Sequence, residues 1–170
     1  MIDGGREDEL DEIRIDKSER RDAAFEASRT DRDRTLEAIH AVEAALDRAA
    51  PGREGDWIDQ VMIAMVRLDS AISRERKESN RPDSLLSIIA HDYPRRCGGR
   101  VRQLREQFDN IAQQVSSLMI QLDQLGEAAD VADLRERLSW LMRAIRHSRA
   151  RETDLVFEAI NLDLGRSENP

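Results

Sequence analysis

Three residues toward the C-terminus have types and spacing that could do chemistry: His147, Ser148 and Glu152. They interrupt an apolar series. Leu134, Leu138, Leu141 and Ile145 precede them, and Leu155, Val156, Ala159 and Ile160 follow. Spacings of three and four put that series on one face of a helix. A polar notch in such a face costs stability unless its groups are satisfied, so it reads as a site or the relic of one. His147 and Glu152, little more than one helical turn apart, make a two-ligand cation site at most. Cys97 lies beside Gly98-Gly99 among Arg95, Arg96 and Arg100, a setting that could lower a thiol pKa or bind an anion at a helix start. No histidine base lies near it in sequence, so an ordinary cysteine in a solvated, charged turn is the expected account. His40 reads as a boundary residue and His91 as an exposed one. The chain has no CxxC, no HExxH, no Gly-rich phosphate loop and no Ser-His-Asp set, so an enzyme is not expected.

Composition narrows the class further. The chain has 170 residues, enough for one domain with a real core. Hydrophobic residues make up 39% and charged residues 36%, but the apolar ones are grouped periodically, which argues against disorder. Only Lys17 and Lys77 are lysines, so the 27 cationic residues are nearly all arginine, and 35 acidic residues can pair with them. A formal charge of −8 disfavours a nucleic-acid partner. No apolar run is long enough for a membrane span, the N-terminus does not resemble a signal peptide, and one cysteine cannot form an intramolecular disulfide. A cytoplasmic protein is the expectation.

These residues must be positioned by helices, because no segment has strand periodicity. Residues 1–15 read as a flexible acidic tail and 166–170 as a frayed end, flanking one domain over 16–165. Asp16 with Glu19 marks the start of helix 1, with Phe25, Leu36, Ile39, Val42, Ala45 and Leu46 on one face and Arg32 inward. Thr30 with Asp33 is a second start, so a bend is expected there, and Pro51-Gly52 ends the helix. Helix 2 runs from about Asp56 to about Ser79 with Trp57, Ile58, Val61, Met62, Met65, Leu68 and Ile72 inward. Asp83 caps a short helix ending at Tyr93-Pro94. Helix 3 starts at Pro94 or after Gly98-Gly99. It carries Val101, Leu104, Phe108, Ile111, Val115, Leu118, Met119 and Leu122, and Gly126 ends it. Asp133 with Glu136 boxes the start of helix 4, and Gly165 ends it. Four long amphipathic helices with short connections predict an all-α, up-down-up-down antiparallel four-helix bundle, with a short extra helix between helices 2 and 3. Trp140 and Phe157 lie off the main stripe and would mark a contact with a second copy.

The layout and two segments, RHSRARETDLVFEA and ESNRPDSLLSIIAHDYPRRCGGRVRQLREQFDNI, resemble the hemerythrin-like (HHE cation-binding) domains over about residues 22 to 165. The resemblance implies a di-iron site with histidines and carboxylates from all four helices. Carried onto this chain, the histidine positions hold Arg32, Arg74 and Phe108, and the paired histidines of the last helix become His147 and Ser148. Glu78 and Glu152 are the acidic positions, so the weak metal candidates are His147, Glu152 and Glu78. Arginine has no lone pair to give a metal, and phenylalanine has no donor, so the resemblance is to a divergent member that has lost most iron ligands. Arg32 and Arg74 would instead form an interior charge pair with Glu78 or Glu152, replacing the cation. The expected function is non-enzymatic binding or regulation, without cofactor, toward an unknown protein partner or a second copy. The alternatives are an iron-handling or oxygen-sensing protein with atypical ligands, and a plain helical protein–protein interaction module.

Overall fold

The computed structural model describes residues 4–48, 52–124 and 130–167. The described regular structure is helical throughout: α1 (Gly4–Leu46), α2 (Glu54–Ser79), α3 (Leu85–Asp92), α4 (Gly98–Gln124) and α5 (Val131–Ser167). No described helix is long and apolar enough to cross a membrane.

Several boundaries differ from the sequence expectations for local reasons. The α1 backbone is helical from Gly4, through the residues expected as a tail, and Asp16 pairs with Arg20 inside the helix. The Thr30 hydroxyl donates to the Glu26 carbonyl at 2.9 Å, so it serves the existing helix and starts no second one. Asp83 is held by Arg81, and Ser84 is the N-cap of α3, its hydroxyl accepting from the Ser87 amide at 3.2 Å. Asp130 caps α5 by accepting from the amides of Ala132 and Asp133, three residues ahead of the expected box. That helix runs through Gly165. Gly126, Pro51 and residues 168–170 lie outside the described residues.

The long helices pack α1 on α2, α2 on α4, α4 on α5 and α5 back on α1, while α3 lies against α4, α1 and the end of α2. Side-chain pairs show the directions. Arg21 meets Asp163 and Glu43 meets Arg146 between α1 and α5, and Arg100 meets Glu158 and Arg137 meets Gln121 between α4 and α5. Both pairs of helices are therefore antiparallel.

The core has two parts. The larger joins Ala38–Leu46 of α1, Trp57–Ile72 of α2, Ile111–Leu122 of α4 and Leu134–Ile145 of α5. The smaller joins Ala24, Leu85, Leu86, Ile89, Cys97, Val101, Leu104, Phe108, Leu155, Val156 and Ala159. Most of the expected stripe residues are buried. Phe25 and Leu36 are not; they are 40% and 41% exposed, and Ala24, Thr35 and Ala38 take the inward line. Ile160 is also exposed, at 39%. Between the two parts lie the buried polar side chains Asp31, Thr35, Glu75, Ser148, Arg149 and Glu152.

The short helix is fixed by hydroxyls as well as by apolar packing. Ser84 also donates to the Ser79 carbonyl at 3.1 Å, and Arg105 donates to that same carbonyl and to the Ser87 hydroxyl. Replacing Ser84 by alanine removes the cap and the inter-helix bond together. The expected cost is about 1–2 kcal/mol, read from urea unfolding followed by circular dichroism.

Candidate functional site

The polar layer is built by continuing the apolar stripes one step further. On α2 the inward series Val61, Met65, Leu68, Ile72 reaches Glu75 and then Ser79. On α5 the series Leu138, Leu141, Ile145 reaches Ser148 and Arg149, then Glu152, before Leu155 resumes it. On α1, Thr35 stands one turn before Ile39 on the same line.

At its centre the Arg149 guanidinium donates to the Glu75 carboxylate, and both side chains are only 10% accessible. Arg149 also donates to the Arg32 carbonyl at 3.2 Å. The Thr35 hydroxyl lies 2.9 Å from Glu75 Oε2 and 3.1 Å from the Asp31 carbonyl. It has one hydrogen, so it can donate to only one of these oxygens at a time. Glu152 is 5% exposed, and its Oε2 is buried with no hydrogen-bond partner. That residue borders a cavity of about 20 Å³, walled also by Ser28, Asp31, Glu75, Glu78, Ser79, Ser84, Leu85 and Leu86. The volume matches one water molecule.

Desolvation dominates the electrostatics. Burial pushes the Glu75 carboxyl up from 4.5 to about 7, with Arg149 opposing and Glu152 adding to the rise. Burial likewise raises Glu152, against the charges of Arg32 and Arg149 and the Ser28 hydroxyl. Cys97 is fully buried in the smaller core, and burial raises its thiol more than Arg100 and Arg96 lower it, so the electropositive setting does not make it a thiolate.

The sequence-picked residues divide. Ser148 and Glu152 are in the layer as expected, and Arg32 acts on Glu152 by charge. His147 is exposed, as are His40 and His91, because it falls one position outside the buried Ser148–Arg149 line. Arg74 is exposed on a groove between α1 and α2 with Arg34 and Arg67, and Glu75 occupies the inward place expected for it. Glu78 is half-buried at the cavity wall and bonds Arg81 at 3.4 Å. The directly bonded interior pair is Arg149 with Glu75, while Arg32 faces Glu152 as a charge and Arg74 is exposed.

These residues do not fit a di-iron centre. Among the described residues, no group of three or more His, Cys, Asp or Glu could hold a metal ion. The layer that would have to supply nitrogen donors supplies a guanidinium, which has no lone pair to offer. Phe108 is buried in the smaller core, where it packs and cannot ligate. No protein-family model, curated protein or solved structure matches this chain.

Proposed function

We propose that the chain is a hemerythrin-like, up-down-up-down four-helix bundle whose interior metal position has passed to an arginine–glutamate layer, and that it works as a non-enzymatic binding or regulatory protein of the cytoplasm. The observation that carries this reading is the Arg149–Glu75 pair, desolvated between the two halves of the core where a cation would otherwise balance the carboxylates. An arginine fixed there offsets part of the cost of the buried acid, as a metal cation would, so the scaffold needs no metal to fold. The surface supports the binding role. Trp140 and Phe157 are 55% and 62% exposed, and Trp140 lies on an α4–α5 groove of about 520 Å³ with Leu118, Arg137 and Arg143. A tryptophan and arginines on one groove are the residue types that anchor protein partners or a second copy.

The test is metal analysis of protein purified without chelator, with ferrous iron then added under air. The reading expects iron, manganese and zinc far below one per chain and no new visible absorption. Stoichiometric iron that is lost in Glu152→Gln would overturn it in favour of an iron-handling protein with atypical ligands.

A further inference from the structure

The outer face of α4 and α5 differs in charge from the rest of the surface. From Asn110 to Leu122, α4 carries no charged residue, in a chain that is 36% charged. Its outward side chains there include Gln113, Ser116, Ser117 and Ile120, and Ile120 is 59% exposed. Taking serine and glutamine out of water costs far less than taking out charge. On α5 the exposed residues Asp133, Glu136, Trp140, Arg143 and His147 keep three-and-four spacing, so they form one stripe along the helix. Asp133 and Glu136 precede Trp140, and Arg143 and His147 follow it, so the stripe is acidic at one end and basic at the other. Arg137 lies beside this stripe and is spent on Gln121 and, at 3.5 Å, on Asp133. Among the described residues, Glu136 and Arg143 have no polar partner in their own chain. The centres of the two patterns coincide. Arg137 meets Gln121 and Ser148 meets Gln107 across the antiparallel α4–α5 seam, so Trp140 stands level with Ser117, and both line the same groove. Ser117 is also close to the midpoint of the uncharged stretch. In that groove Gln114 Oε1 is buried without a hydrogen-bond partner, an acceptor that its own chain does not satisfy.

We propose that this face docks on the same face of a second copy of the chain, α4 on α4 and α5 on α5, antiparallel about a two-fold axis at the level of Trp140 and Ser117. Such an axis turns the α5 stripe end for end. Glu136 of each copy then meets Arg143 of the other, the acidic half faces the basic half, and the two indoles come together at the centre. The uncharged stretches of α4 lie over one another with no charge buried unpaired. A parallel docking of the two stripes would put like charge on like, so the pattern selects the antiparallel one. The inference rests on the reading of this groove as a binding surface, and it names the partner.

The experiment is sedimentation equilibrium of the intact chain and of two charge reversals at these exposed positions. The parent should approach twice the 19.5 kDa of one chain as its concentration rises. Glu136→Arg sets arginine against arginine at both symmetric contacts, and Arg143→Glu sets glutamate against glutamate. Each variant alone should associate at least about tenfold more weakly than the parent. Mixed in equal amounts, the two variants should associate again, because each then meets its opposite. Circular dichroism checks the helix of each variant, and should one not fold, Glu136→Lys or Arg143→Asp takes its place. The proposal fails if the parent keeps the mass of one chain up to about 1 mM, if either reversal leaves association unchanged, or if the mixture is no heavier than its parts. Metal analysis of the same samples answers separately for the binding-protein reading. A metal-free monomer overturns the pairing of copies and leaves a binding protein for an unlike partner, whereas stoichiometric iron overturns that reading whatever the mass.

Discussion

Arg149→Ala lowers the unfolding free energy by about 3–5 kcal/mol at slightly alkaline pH, the largest single-residue effect expected in the polar layer. The reason is what it leaves behind. Glu75 and Glu152 remain buried, and only Arg32, which makes no direct ion pair with either, still balances them. Removing the acid with the base has a different outcome. Arg149→Met with Glu75→Leu fills the same place with apolar side chains between two existing apolar clusters, and the double variant should recover most of that loss, short of what Glu152 costs once Arg149 no longer faces it. Urea unfolding of the parent, Arg149→Met, Glu75→Leu and the double variant measures the coupling directly. A loss under about 1 kcal/mol in Arg149→Ala would mean that the guanidinium is solvated and that no buried pair exists.

The second large effect is on pH. Glu75 has its folded pKa raised from 4.5 to about 7, so between those values the folded chain keeps a proton that the unfolded chain has shed. The stability from this group is complete below about pH 4.5 and is lost as the pH rises through about 7. The difference amounts to about 3 kcal/mol, and Glu152 acts in the same direction. Asp83 works the other way, because its bond to Arg81 depresses its carboxyl, but it sits in an exposed pair and acts at lower pH. Urea midpoints should therefore fall from mildly acidic to neutral pH in the parent and fall less in Glu75→Gln, where Glu152 alone still contributes. A parent that gains stability over that interval would contradict the desolvation argument.

The helices were legible in the sequence because their apolar residues keep strict three-and-four spacing. Leu138, Leu141 and Ile145, or Leu104, Phe108 and Ile111, cannot be read another way. Boundaries were less legible, since several residues at each end could cap. Asp130 wins over Asp133 because Val131 already belongs to the helix face. Phe25 and Leu36 were placed on the inward face with Ile39 and Val42, whereas the inward line on α1 runs through the smaller Ala24, Thr35 and Ala38. Two of the six side chains of the polar layer were visible as the notch at Ser148 and Glu152. Glu75 and Arg149 were missed although each lies three or four residues beyond a buried isoleucine, Ile72 and Ile145. The signal was present. Charged residues in a stripe look like its end, and only the resumption of Leu155 after Glu152 shows that the stripe continues. What periodicity cannot supply is which guanidinium meets which carboxylate, because that depends on the relative depth of two helices.

The larger cluster has an optical consequence. Trp57 is buried there with the Arg135 guanidinium 5.3 Å from its ring centre, while Trp140 is exposed. In Trp140→Phe the remaining indole should emit from an apolar, cation-quenched setting and change colour and intensity when that half loosens. One end of the molecule would then be followed by light and the other by the reactivity of its lone sulfur.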